Sequence, residues 1–186
     1  MEKIKHIKIL VIKGVPVYLH WTSILIILII LFAGRTYPPT IVGGISVFIL
    51  ILFHEFGHYL VASRLSLHTN FICIYPLLGI CNYIPSYNNY YNILVSWGGI
   101  TIQLLIAIPC LILYFTLSEN INAILNSVIT ISGPYNLFII FLNLIPFPGL
   151  DGYTCWKIFS SKIKEKKLNK KEKNLKKNHR NFKIVQ

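Results

Sequence analysis

The chain has 186 residues, 54% of them hydrophobic and only 13% charged, with a mean hydropathy of +0.61. A soluble domain carries about twice that charged share, and the apolar residues come in long runs, so an ordinary soluble domain is excluded and a polytopic membrane protein is indicated. The formal net charge of +12 does not indicate nucleic acid: twelve of the eighteen basic residues lie between Lys157 and Lys183, four lie before Gly14, and Arg35 and Arg64 flank an apolar run. Cations parked outside apolar spans are what membrane orientation requires, and no nucleic-acid-reading module accompanies them.

Residues 1–14 form a basic segment with Lys3, Lys5, Lys8 and Lys13. No small-residue cleavage pattern follows it, so it is not expected to be a cleavable signal peptide. Four apolar stretches then match the ~20 helical residues that cross a hydrocarbon core of ~30 Å. The first is residues 15–33, with Pro16 in its opening turn. The second and third are residues 41–63 and 91–117. The fourth is residues 121–145, bent at Gly133-Pro134 and stopped by Pro146 and Pro148. The expected fold is an all-α polytopic membrane protein with about four transmembrane helices, its embedded domain covering residues 15–156.

Four spans leave both termini on one side. Both are basic, so that side is expected to be the cytosol. Between the second and third spans stand Phe71-Ile72-Cys73-Ile74-Tyr75, then Pro76 and Gly79, then Cys81-Asn82-Tyr83-Ile84-Pro85. Short β-rich runs separated by Pro and Gly predict a small cytosolic hairpin. Its first run, residues 71–75, is expected to be an exposed edge to which an unwound peptide could add. The Lys/Asn-rich residues 157–186 read as a cytosolic tail that is disordered or lies on the lipid surface. Cys73, Cys81, Cys110 and Cys155 form no CxxC pair and read as free thiols. Trp21, Trp97 and Trp156 fall near span ends, as interfacial anchors do.

The second span contains His54-Glu55-Phe56-Gly57-His58. Positions i and i+4 share one helix face, so both imidazoles can bind one zinc ion while Glu55 is turned toward a water at the metal. At 1.5 Å per residue, His54 lies about 20 Å into the span. A glutamate and two histidines at that depth are costly unless they serve a buried polar site. Zinc needs a third protein ligand and an open fourth position. Asp151, the only aspartate, follows Asn143-Leu144-Ile145-Pro146-Phe147-Pro148-Gly149-Leu150 at the cytosolic end of the fourth span. Glu119 is the competing carboxylate, on the opposite side by topology. His20 and His68, near interfaces, are not assigned to the metal.

HEFGH on a membrane helix followed by NLIPFPGLDG resembles the site-2 protease family of intramembrane zinc metalloproteases. That family carries HExxH in one span and Asn-x-x-Pro-x-x-x-Leu-Asp-Gly at a later one. The likeness covers about residues 14–159. It includes Pro16-Val17-Tyr18-Leu19-His20-Trp21 at the first span and Pro76-Leu77-Leu78-Gly79 in the strand region. The resemblance implies one Zn²⁺ held by His54, His58 and Asp151, with Glu55 as the catalytic base. It also implies that Asn143, and Gln103 in the place of a family Asn, help to hold the substrate or an oxyanion. The family's Gly-x-x-x-Asn element has its nearest match in Gly99-Ile100-Thr101-Ile102-Gln103, with Gln103 in place of Asn and the same amide donor and acceptor. A glycine pair for close helix packing with one interhelical hydrogen bond explains the same residues.

The implied activity is hydrolysis of peptide bonds within membrane segments of single-span proteins, by a multi-pass protein with no nucleic-acid partner. Two rivals are a catalytically inactive homologue acting as a membrane binding partner and a zinc or proton transporter. An intact Glu55 and ligand set disfavours the first. Motifs gathered toward one side of the membrane disfavour the second.

Overall fold

The computed structural model describes residues 6–117 and 121–157. Glu119, the expected tail beyond Lys157 and the lysines at positions 3 and 5 lie outside the described residues. The elements in chain order are β1 (His6–Ile12), β2 (Val15–His20), α1 (Trp21–Ala33), α2 (Pro38–Arg64), β3 (Thr69–Ile74), β4 (Gly79–Tyr83), α3 (Asn89–Leu117), α4 (Ala123–Thr130), a π-helical turn (Ile131–Tyr135), α5 (Asn136–Asn143) and the short α6 (Asp151–Cys155).

Helix α2 is the axis of the molecule. Pro38 and Pro39 open it, where a missing N–H costs nothing. Its buried residues Gly43, Ser46, Leu50, Ile51, His54, Gly57, His58 and Ala62 recur three or four apart, which is one face of a helix. Gly57 meets Gly98 and Gly99 of α3 backbone to backbone. A Cβ at any of these positions would strike the other helix or its histidines, so the glycines set how closely α2 and α3 approach. Three helical stretches are long and apolar enough to cross a membrane: Pro39–Arg64, Asn89–Leu117 and Ala123–Asn143. The last is continuous through the π turn. There Pro134 has no N–H to give and its ring crowds the preceding turn, and a wider turn absorbs both defects.

The first expected span is the main correction. Its residues 15–20 are a strand, and α1 has 13 residues, or about 20 Å, too short to cross alone. The segment nevertheless runs the length of α2. Val15 packs with Tyr59 near one end of α2, and the side chain of Ile30 fills the space beside Gly44 near the other. Six strand residues and 13 helical ones reach about 40 Å, as do the 27 residues of α2. Lys13 and Gly14, with φ of 47° and 89°, make the primed two-residue turn that joins β1 to β2. Val15 and Val17 alternate with half-buried neighbours and pack on Ile72 and Ile74.

The fold is therefore mostly helical but not all-α. The expected hairpin is half of a four-stranded sheet of order β1-β2-β3-β4, in which β2 and β3 are parallel and the outer pairs antiparallel. Residues 71–75 are not an edge, because β3 is paired on both sides; the edges are β1 and β4. The β3–β4 strands do not project away from the helices. Thr69 starts near the C-terminal end of α2, and Gly79 ends against the side chain of Glu55. The sheet thus lies alongside the last third of α2.

Candidate metal centre

His54 and His58 stand one turn apart on the buried face of α2, each 7% exposed. The third residue comes from the other end of the chain. After α5 stops at Asn143, the path to Asp151 is held by Leu144 N–H on the Ile140 carbonyl and by Leu150 N–H on the Phe147 carbonyl. Gly149 takes φ of 98°, a conformation few other residues adopt. Gly152 sits beneath the carbonyls of Leu144 and Ile145, where no Cβ fits. The Trp156 indole donates to the Leu144 carbonyl at 2.6 Å. These contacts deliver the Asp151 carboxylate to the two imidazoles.

Three atoms converge there. His54 Nε2 is 2.9 Å and His58 Nε2 is 3.3 Å from Asp151 Oδ2, and the two Nε2 atoms are 3.0 Å apart. A tetrahedral zinc with bonds of about 2.0–2.1 Å needs ligand atoms about 3.3 Å apart, so the spacing fits with a small adjustment. The chemistry of the donors fits as well. His54 Nδ1–H donates to Gln103 Oε1 at 2.9 Å, and His58 Nδ1–H donates to the Val95 carbonyl at 2.7 Å. With each Nδ1 committed, each Nε2 turns a lone pair toward the other and toward a carboxylate oxygen. A cation at their centre satisfies all three. Burial pushes the Asp151 carboxyl up, but the two imidazoles beside it outweigh this and hold the group below the usual carboxylate range. It is an anion at neutral pH. Among the described residues this is the one group of three such side chains close enough to hold an ion.

Glu55 is 4% exposed and lies against Gly79 of β4. It lines one cavity of about 590 Å³ with the three ligand residues, with Asn143, and with apolar side chains including Ile51, Leu78, Phe138 and Leu142. Asn143 thus stands at the site, on the wall. Gln103 touches the cavity too, but its amide oxygen is engaged by His54, which is the interhelical bond of the packing reading. Burial, then the charges of Glu55 and Asp151, push the Cys81 thiol on the cavity wall up to about 12. All four cysteines are free.

Sequence reasoning missed two contributors, the Val95 carbonyl and Asn136, and read Gly99 only as part of the Gly-x-x-x-Asn match or of a packing pair. The Val95 carbonyl has no sequence signature. Gly99 leaves the space that a Cβ would fill at 2.6 Å from His58 Nε2. Asn136, fully buried, donates to the Gln103 carbonyl at 3.0 Å. An asparagine inside an apolar span was the visible signal for it.

No family model matches the chain, and no curated protein does. Among solved structures it is similar to the site-2 protease from Methanocaldococcus jannaschii, at 25% identity and a TM-score of 0.64 over 84% of this chain and 72% of that one. Three span-length apolar helices and a membrane-protease neighbour mark an integral membrane protein. Shared architecture over most of both chains, with HExxH and the Asn-to-Asp-Gly element converging on one buried point, makes this chain similar to a site-2 protease in both fold and candidate site.

Proposed function

We propose that the chain is a zinc endopeptidase that cuts peptide bonds within the membrane segments of single-span proteins. The observation that carries this reading is the convergence of His54, His58 and Asp151 with both Nδ1 atoms already committed, beside a buried glutamate. Zinc bound by these three residues would polarise a scissile carbonyl and acidify a water. Glu55 takes the proton of that water and returns it to the leaving amine. Gln103 and Val95 keep the imidazoles in the ligating tautomer. The apolar wall of Ile51, Phe138 and Leu142 excludes bulk water. Asn143, on the same wall, donates its amide to the substrate carbonyl.

A membrane helix cannot react as it stands, because its carbonyls are bonded within the helix. Edge strand β4 lines the cavity and offers the unwound segment an alternative set of backbone partners. Alternation from the Tyr75 N–H to Leu78 carbonyl bond turns the edge groups of Gly79 and Cys81 outward, where the Cys81 N–H meets the Glu55 carboxylate. Both termini lie in the cytosol in this reading, because residues 15–33 run the full length of α2 and preserve an even number of crossings.

The test is cleavage of a single-span substrate by purified protein, with zinc content measured and Glu55→Gln as control. Zinc-dependent cleavage that Glu55→Gln abolishes is expected. Zinc-free protein of equal activity would overturn the reading.

A further inference from the structure

Asn136 opens α5 directly after the π turn and is fully buried within a span-length apolar segment. A polar side chain in such a segment is costly unless it serves a buried polar contact. Its Nδ2 donates to the backbone carbonyl of Gln103 at 3.0 Å, but its Oδ1 is buried with no partner. An unpaired buried acceptor weakens a fold. Nor does the carbonyl depend on this donor. Gln103 lies inside α3, where the N–H four residues on already satisfies one lone pair of its oxygen. Stability alone therefore does not account for an asparagine here, since an apolar residue would leave no group unpaired.

The contact falls where support for the metal centre is anchored. The residue that receives Asn136 on its carbonyl receives His54 Nδ1–H on its side-chain Oε1, at 2.9 Å. Gly99, one turn earlier on α3, lies against both imidazoles. The α2 side of α3 is thus set by close packing, and Asn136 holds Gln103 from the α5 side. A glutamine side chain is flexible, so its amide is placed only as well as its backbone is. The π turn sets the direction from which Asn136 approaches. It holds one residue more than an α turn, so the residues after it are rotated by about 100° relative to an uninterrupted helix. Without that offset Asn136 would leave the side of α5 that meets Gln103.

We propose that Asn136 is a positioning residue for the metal centre, a role that rests on the zinc site proposed above. It holds the Gln103 backbone so that the Gln103 amide keeps His54 in the orientation and tautomer that turn Nε2 toward the ion. Partners that orient a ligating imidazole raise metal affinity without touching the metal. Asn136 stands one step further out, and it acts through Gln103.

Zinc affinity of the full chain in detergent, measured by competition with a chromophoric chelator, tests this beside the melting temperature of the metal-free protein. Asn136→Ala should weaken zinc binding by about three- to tenfold. Its melting temperature should fall only slightly, because an interhelical hydrogen bond in a membrane contributes little. Ile140→Ala is the packing control, one turn further along α5 and clustered with Ile100 and Ala107. It should lower the melting temperature more and leave zinc affinity near the wild-type value. The same order for both quantities would make Asn136 a packing residue and overturn the proposal. A double variant gives the second readout. In a Gln103→Leu background, Asn136→Ala should cause no further loss of zinc affinity, because the path through Gln103 is already cut. Equal affinity in wild type and Asn136→Ala, or additive losses in the double variant, overturns the positioning role while the zinc site stands. Wild type that binds no zinc overturns both.

Discussion

Each imidazole at the candidate metal centre spends one nitrogen on a neighbour and turns the other toward Asp151, so changes at the proposed ligands and at their supports have separable effects. In the proposed mechanism Glu55 handles a proton and does not ligate. Glu55→Gln should therefore abolish cleavage with zinc still bound, and metal analysis beside the activity assay checks it. Asp151→Ala should lower zinc occupancy as well as rate. Gln103→Leu removes the acceptor for His54 Nδ1–H and should weaken zinc binding about 10- to 100-fold, read by competition with a chromophoric chelator; unchanged affinity would show that His54 is oriented by packing alone. His54, Glu55 and His58 were legible in the sequence because an i, i+4 pair makes a local pattern. Asp151 was legible because no other aspartate competes. The partners of the two Nδ1 atoms were not, since a backbone carbonyl and a glutamine 49 positions away meet the histidines only once α2 and α3 have packed.

At the scale of elements, neighbouring glycines have different duties. Gly98 faces the backbone of Gly57, whereas Gly99 faces the two imidazoles. Gly99→Ala should lose zinc while the melting temperature changes little. Gly98→Ala should force the helices apart and lower both. Similar melting temperatures for the two variants would contradict this division. The edge strand gives a second test. A substrate paired with β4 engages the edge through alternate residues only, so N-methylating one substrate amide at a time near the scissile bond should impair cleavage with a period of two. A flat response would mean that the strand is only a connector. Proline at Ile72 is no test of this, because β3 is interior and paired with β2. The helices of 27 and 29 residues were readable from apolar length. The β1–β2 hairpin was not, because β2 and α1 form one unbroken apolar run, and length alone does not separate a buried strand from the start of a helix. The Lys13-Gly14 turn between two β-branched runs was the signal that length masked.

For the whole molecule, the position of the candidate metal centre along α2 decides, in the proposed function, where a substrate would be cut. His54 stands ten residues before Arg64, or about 15 Å from the end of α2. The β3–β4 turn reaches the same depth, since Gly79 lies against Glu55. In the proposed orientation the site lies inside the hydrocarbon layer but nearer the end at which the sheet begins, which the lysine distribution is expected to put on the cytosolic side. A reporter fused after Gln186 should accordingly be active only as a cytosolic one. Unwinding a substrate helix in lipid leaves backbone groups unpaired at several kcal/mol each. In the cavity, β4 can take up part of that backbone, and Gly, Pro or Asn in the substrate reduces the helix stability to be overcome. Scission is therefore expected in the cytosolic half of the substrate span, within a few residues of such positions, and replacing them with Leu should slow it. Mass spectrometry of the products locates the cut. Cleavage consistently in the outer half, or a rate indifferent to the Leu replacements, would place the reacting bond somewhere this cavity does not reach.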